Sequence, residues 1–462
     1  MITRLHISNF KSWQNAGPFD LRALTGLFGP NSSGKTSLTQ LLLALKQTVQ
    51  SQDRKRVIDT GDDYTYVDIG TFYDFIYNHD ASLPLDLSIT WRLPEPISIG
   101  DSLDLGSRRF TADQLTFAEE ICNIDDRLVV NFLEYSFDGL KFGMRREPSN
   151  TAAARKSRSL DYRLYSDGYE LRRSQGRPWP LPSPIKSYGF PPEAMAYFQN
   201  ADFLPDLALA LENLFGEIAY LGPLREEPAR IFNWSGERPV DVGQHGEFAI
   251  QALLSARAEN LKSGRGEGKG RRYRSIEERI LEWLREMGLV ASFKLQPIGR
   301  NRKDYEFKVR RSSHSPEVNL TDVGFGLSQV LPVLVLCYYA PEGATLILEQ
   351  PEIHLHPKVQ AILADVFIDV INERRLQIIL ESHSEHLLRR LQRRIAEGIV
   401  SPASAKLYFC DTDAVVGQSI LTPLDLDEFG QIRNWPADFF GDELGDQVTI
   451  QELKLQRQMK AS

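Results

Sequence analysis

The residues Gly29 to Thr36, GPNSSGKT, leave little freedom in how the surrounding chain can fold. Two glycines bracket four residues, and Lys35 and Thr36 follow at once. Such a loop points successive backbone N–H groups at an anion, and the helix that leaves it adds the partial positive charge of its aligned peptide dipoles. It requires a strand to deliver the loop and a helix to follow it. Both are in the pattern: ALTGLFG leads in as a short apolar run of strand character, and KTSLTQLLLALKQTV spaces its leucines helically. Gly29, Pro30, Asn31, Ser32, Ser33, Gly34, Lys35, Thr36 and Ser37 are therefore the candidate phosphate-binding residues. Asn31 to Lys35 would ring the phosphates with N–H groups, Lys35 would place its charge between the terminal two, and Thr36 would offer a hydroxyl to Mg2+.

Three later segments carry chemistry of a compatible kind. In GATLILEQPEIHLHP, Gly343 to Pro357, an apolar strand ends in Glu349, a candidate metal acid, with Gln350 and Glu352 close behind. His354 and His356 lack a third partner at ligand spacing, so a separate metal centre there is the weaker reading. In NLTDVGFGLSQVLPVLVL, Gly324 and Gly326 loosen the backbone ahead of a helix expected from near Leu327, whose first N–H groups could face an anion. In QIILESHSEHLLRRL, a strand ends at Glu381 and His383 follows at its tip, where parallel α/β sheets build their sites.

The rest of the chain reads as a frame for these segments. From about Leu83 to Leu171 the apolar residues alternate and two DG turns occur, which predicts antiparallel hairpins. From about Pro191 to Leu289 the pattern is mostly helical, broken by YLGPLREEPARIFNWSGERPVDVGQHGE and by the basic, glycine-rich loop Lys262–Arg274. Strands return near Phe293, and ATLILE and RLQIIL are the short apolar runs of a buried parallel sheet. The expected division is an N-terminal lobe (1–95), an inserted β-hairpin and helical region (96–290), a C-terminal lobe (291–400) and a C-terminal extension (401–462).

Charge and cysteine content narrow the partners. Of 462 residues, 54 are basic and 62 acidic, a net charge of −8 that gives no protein-wide footprint for nucleic acid. Local basic stretches remain at Lys262–Arg274 and in RRSQGR. Cys122, Cys337 and Cys410 are far apart and form no CxxC pair, as expected of reduced thiols. MITRLHISNF alternates rather than forming a signal peptide, and no apolar run is long enough to span a bilayer. A cytoplasmic protein with no membrane partner is expected.

Phosphate loop, long insertion, glycine-rich helix start, acidic strand and strand-tip histidine come in an order and spacing that resemble the ABC-type ATPase head. More narrowly, the chain resembles the RecF/SMC/OLD branch of stand-alone heads. LHISNFKSW…LTGLFGPNSSGKTSL and ILEQPEIHLHP…ESHSEHLL carry this likeness, over roughly residues 1–80 and 315–390. YLGPLREEPARIFNWSGERPVDVGQHGE and IRNWPADFFGDE are similar to a bacterial family of such ATPases with a poorly characterised C-terminal domain. Members of that group often sit in anti-phage defence operons beside a nuclease or another effector. The resemblance implies an α/β fold, an ABC-type P-loop ATPase head with an antiparallel β subdomain and a helical insertion. It implies ATP and Mg2+ as cofactors and a homodimer sandwiching two ATPs.

Carried over, the resemblance makes Lys35, Glu349, Gln350, Glu352 and His383 the catalytic group. Thr36 and Glu349 would hold the metal, and His383 would sense the γ-phosphate. Gly324, Gly326, Ser328 and Thr321 would face the partner subunit's γ-phosphate, and HLHP would contact the partner. There are two departures. Gln350 fills the slot of the usual catalytic glutamate; an amide orients water but takes no proton. Hydrolysis is then expected to be slow, with Glu352 as the substitute base. Nor does the chain offer a glutamine to complete the Mg2+ shell, Asn78 and Asp80 being the nearest candidates.

The expected function is an ATP-binding, slowly hydrolysing, dimerising switch that controls a separate effector such as a nuclease. The alternative is a RecF-like repair ATPase that binds DNA directly. A built-in nuclease of the OLD kind would use Asp411-x-Asp413, but the chain after His383 is short for that domain, and DTD reads as a turn. A transporter's ATPase subunit fits poorly with the insertion and the divergent signature.

Overall fold

The computed structural model of the chain describes residues 1–100, 109–147, 161–174, 180–263, 274–299, 302–436, 439 and 454. Most of the basic loop Lys262–Arg274 therefore lies outside the described residues, as do 148–159 of EPSNTAAARKSRS, 175–177 of RRSQGR and most of the last 26 positions (437–462). The two ends of the basic loop, Lys262–Ser263 and Arg274–Ser275, pair as a short antiparallel ribbon.

Two sheets organise the fold. The central one has six strands in the order Ser419–Pro423, Ala405–Thr412, Leu24–Phe28, Gln377–Glu381, Thr345–Glu349 and Ile218–Leu221. All neighbours are parallel except the Ala405–Thr412/Ser419–Pro423 hairpin. Leu24–Phe28, Gln377–Glu381, Thr345–Glu349 and Ile218–Leu221 are buried at every position, which explains why LTGLF, QIILE, TLILE and IAYL read as continuous runs rather than alternations. One face of this sheet packs against Phe325–Tyr339, Pro357–Arg374 and Glu385–Ala396. The other meets the helix Lys35–Gln50 and a second, seven-stranded sheet.

The second sheet is antiparallel, in the order Trp13–Asp20, Ile2–Phe10, Leu85–Ile99, Phe110–Ile124, Arg127–Phe137, Leu140–Arg146 and Tyr162–Asp167. Its hairpin at Asp138-Gly139 has φ of 46° and 78°, the doubly positive pair that a tight two-residue turn demands. Gln377 ties the two sheets at their base. Its buried amide accepts from Ile2 N (2.8 Å) and Thr345 Oγ1 (3.0 Å), and donates to Ile2 O (2.6 Å) and Arg22 O (3.1 Å).

These sheets cut across the expected segment boundaries. The 95/96 boundary falls inside the strand Leu85–Ile99. Ile218–Leu221, from the expected insertion, is the edge strand of the central sheet. Past residue 401, Ala405–Thr412 lies directly beside the phosphate-loop strand. Alternation and apolar runs announce a strand but not its partner, so long-range pairing stays hidden in the sequence. The glycine-rich helix begins at Phe325, with Gly324 as its N-cap, two residues ahead of Leu327. In DTD, Asp411 belongs to the strand; Asp413 opens the turn, its carboxylate accepting from Val415 N (2.7 Å) and Val416 N (3.0 Å). Among the described residues no helix is long and apolar enough to cross a membrane.

One buried acid of the antiparallel sheet carries a pH prediction. Glu119 is 2% exposed, its Oε2 has no hydrogen-bond partner among the described residues, and burial pushes its pKa up to about 7. With the folded pKa above the unfolded value, its contribution to stability is full below about pH 4.5 and fades as pH rises through about 7. Glu119→Gln is expected to stabilise the protein by about 2 kcal/mol at pH 8 and by almost nothing at pH 4.5. Thermal denaturation at the two pH values checks this.

Candidate nucleotide site

The phosphate loop is braced from outside by segments far away in sequence. Gly29 has φ 137°, and a Cβ there would lie 2.0 Å from the carbonyl oxygen of Cys410 in the neighbouring strand. Gly34 has φ 88° and caps the helix Lys35–Gln50 without any side-chain cap, so no side chain competes with an anion for its first N–H groups. A Cβ on Gly34 would meet Ser419 Oγ at 2.5 Å and Trp13 Nε1 at 2.8 Å. Trp13 Nε1 donates to Gly34 O (2.9 Å), and Ser419 bonds Ser12 through its hydroxyl (2.7 Å) and its N–H (2.8 Å). Both glycines are thus required by strain and space together.

Lys35 is 3% exposed and turns back on its own loop, donating to Gly29 O (3.1 Å) and Pro30 O (2.6 Å). Burial lowers its pKa, and the Glu381 carboxylate partly opposes that. Beside it opens a cavity of about 260 Å³, lined by Ser12, residues 31–37, Gln350 and Glu381. The loop residues named from the sequence therefore surround one space, except Gly29 and Pro30, whose carbonyls hold the lysine.

Two acids stand at the open end of the sheet. Glu349 and Glu381 end adjacent parallel strands in register. Thr36 Oγ1 donates to Glu381 Oε2 (2.8 Å), and Thr39 Oγ1 donates to Glu349 Oε1 (3.0 Å). Sequence reasoning named Glu349 and missed Glu381 as a site acid, although TLILE and QIILE end alike and signal the pair. Burial, reinforced by the Glu381 charge, pushes the Glu349 carboxyl up to about 7, while Tyr220 and Thr39 hydrogen-bond it. Glu381 is also raised, chiefly by burial. Buried oxygens that hold protons this tightly gain much from a divalent cation, and two carboxylates with the Thr36 hydroxyl form the hard-oxygen set that Mg2+ takes. The residues fit the metal.

Gln350 closes the cavity. Its φ is 43°, its N–H donates to Glu381 O (2.8 Å), and its side chain hydrogen-bonds the Glu381 carboxylate. Glu352 is buried; its Oε1 accepts from Ser382 Oγ (2.8 Å) and from His383 N (2.7 Å), bracing the turn that presents His383. Its Oε2 is buried without a partner. Partial burial and then the Lys35 charge lower the His383 pKa, which favours the neutral ring near pH 7.

The remaining candidates lie elsewhere. Gly324, Gly326 and Ser328 do not line this cavity. Gly324 is exposed at its helix start, whereas Ser328 is buried and spends its hydroxyl on Phe325 O (2.9 Å). His356 caps the helix Pro357–Arg374, accepting at Nδ1 from Lys358 N (3.2 Å). Asp80 spends its carboxylate on Ser82, and neither it nor Asn78 lines the cavity.

A strand-borne phosphate loop, two strand-end acids and a histidine turn sit on one parallel sheet flanked by a large antiparallel sheet, the α/β layout expected of a P-loop head. Residues 267–389 match the family described as "AAA domain, putative AbiEii toxin, Type IV TA system", and residues 400–449 match "Protein of unknown function (DUF3696)". No curated protein matches the chain.

Among solved structures, the chain is similar to an SmcHead bound to the C-winged helix domain of ScpA (TM-score 0.43, 11% identity, 92% of this chain and 98% of that one). It is also similar to the SMC head domain from Thermotoga maritima (0.39, 11%, 92% and 99%). A third likeness is to the Smc head domain with an extended coiled coil bound to the C-terminal domain of ScpA derived from Pyrococcus furiosus (0.38, 12%, 92% and 96%).

Proposed function

We propose that the chain is an ATP-held switch: it binds ATP with Mg2+, dimerises around it, hydrolyses it slowly and thereby controls a separate effector in anti-phage defence. The observation that carries this reading is the cavity beside the phosphate loop, lined by Thr36, Glu381 and the amide of Gln350, with Glu349 ending the next strand in register with Glu381; Thr36, Glu349 and Glu381 would hold the metal. Bound Mg2+ would supply charge neutralisation of the terminal phosphates.

The chain's own residues do the rest. Lys35 exchanges two loop carbonyls for phosphate oxygens. Gln350 orients the attacking water without accepting its proton. Glu352 has one buried oxygen unspent, the candidate proton acceptor, while the other holds the His383 turn. Neutral His383 donates to a terminal phosphate oxygen. Gly324 and Gly326 lie away from their own chain's cavity, which supports their use by a second copy. The family description over residues 267–389, with its putative toxin, supports a defence setting. The protein is expected to work in the cytoplasm with an effector such as a nuclease.

The RecF-like alternative needs a basic surface. Of the arginines on the helix Glu385–Ala396, Arg389, Arg390, Arg393 and Arg394 are paired with Glu385, Asp365 and Glu397, which leaves that row poorly suited to phosphates. Steady-state ATP turnover with and without duplex DNA separates the readings. Slow turnover indifferent to DNA supports the switch; brisk turnover that rises with DNA supports the repair ATPase.

A further inference from the structure

The motif YLGPLREEP contains a group that the function above leaves idle. Arg225 Nε, Nη1 and Nη2 are all buried, and among the described residues none of them has a hydrogen-bond partner. A guanidinium carries five N–H donors, and burying them unpaired is costly unless something else meets them. Three other arginines of the fold are spent on partners. Buried Arg374 donates to Cys337 O (2.8 Å) and Ala340 O (2.6 Å), and Arg390 and Arg394 pair with buried Asp365.

The backbone fixes where Arg225 stands. Ile218–Leu221 runs parallel to Thr345–Glu349 with Leu221 opposite Leu348, so the chain leaves the sheet beside Glu349. The following loop is pinned on both sides of the arginine: Gly222 N donates to Gln244 O (2.8 Å), Glu226 N donates to His245 O (2.9 Å), and His245 Nδ1 bonds Leu224 O (2.9 Å). The guanidinium is thereby held at the site end of the sheet, close to Tyr220, Glu349 and Glu352. Tyr220 is already engaged with Glu349, and Glu352 Oε2 is itself buried and unpartnered. An unspent donor fork and an unspent acceptor thus lie near each other at the end of the sheet where Glu349 stands, one strand from the phosphate-loop cavity's Glu381. A tetrahedral, multiply charged phosphoryl group is the ligand a guanidinium fork fits best.

We propose that Arg225 is a binding residue for the terminal phosphoryl group of ATP, its donors left unpaired until that group arrives. The assignment rests on the ATP reading above and deepens it, because it adds a second residue, beside His383, that tells ATP from ADP.

The test compares Arg225→Met and Arg225→Lys with the native chain and Lys35→Ala. ATP and ADP affinities are measured by calorimetry with Mg2+, and the nucleotide-free thermal midpoint is recorded. Arg225→Met is expected to weaken ATP by about tenfold or more, to leave ADP within about twofold, and to melt no lower than the native chain without nucleotide. Arg225→Lys should fall between. The proposal is overturned if both affinities are unchanged while the nucleotide-free midpoint falls, which would make Arg225 a structural counter-charge. It is overturned equally if both affinities fall together. If the native chain binds no ATP, or if Lys35→Ala binds it as well, the ATP reading itself fails. If Lys35→Ala loses ATP while Arg225→Met still prefers ATP as the native chain does, only the Arg225 assignment fails.

Discussion

Gln350→Glu is expected to raise steady-state ATP turnover by about ten- to a hundredfold, with ATP affinity changed far less. The substitution places a proton acceptor where an amide now closes the phosphate cavity, without moving the backbone, because Gln350 N is fixed to Glu381 O at 2.8 Å. General-base assistance is worth about a hundred- to ten-thousandfold where the base is well matched. The gain here should sit at or below the bottom of that range. The new carboxylate would stand beside Glu349 and Glu381, both already holding their protons too tightly, and a third like charge raises its own pKa. Rate measurements from pH 6 to 9 should show the gain growing with pH. If the variant is no faster than the native chain at any pH, Gln350 is not what limits hydrolysis, and Glu352 becomes the residue to replace.

Lys35→Ala is expected to weaken ATP binding by about a hundredfold or more, from the loss of two charge-assisted bonds to phosphate. The ammonium has been taken out of water into a 3% exposed position, where burial depresses its pKa, and two carbonyls at 2.6 and 3.1 Å hold it in waiting. A cation buried at that cost and within reach of the loop's anion space favours ATP over water strongly. Folding should suffer little, because Pro30 is exposed and Gly29 only half-buried, so water can take the ammonium's place at their carbonyls. Calorimetric titration with ATP, beside a thermal scan of the nucleotide-free variant, separates the two effects. Unchanged affinity would remove the loop from the account.

Much of the site was legible because its parts are local. GPNSSGKT, its strand and its helix are contiguous, and Glu349, Gln350, Glu352 and His383 each follow the end of a short apolar run that could only be a buried parallel strand. What escaped was whatever the tertiary fold brings in. Glu381 was visible as a strand end, but its role appears only when Gln377–Glu381 lies in register beside Thr345–Glu349 and its carboxylate receives Thr36. Trp13 and Ser419 lock Gly34 from positions 21 before and 385 after it, distances over which no periodicity speaks. The strand Trp13–Asp20, WQNAGPFD, carries a glycine and a proline and looks like a loop until it pairs with Ile2–Phe10 at the sheet edge, where proline is tolerated. Arg225 sat in a quoted motif, yet only burial without partners marks it as more than another surface arginine.

On the proposed function, ATP holds two copies of this chain together and its slow hydrolysis lets them part. The direct measurement is molar mass in solution by light scattering, for the native chain with Mg2+ and ATP, with Mg2+ and ADP, and without nucleotide, alongside Lys35→Ala with ATP. Mass is expected to double with ATP alone, to stay doubled until the ATP is spent, and not to rise in Lys35→Ala. A mass that is the same in all four samples, with ATP shown to be bound to the native chain, would contradict it.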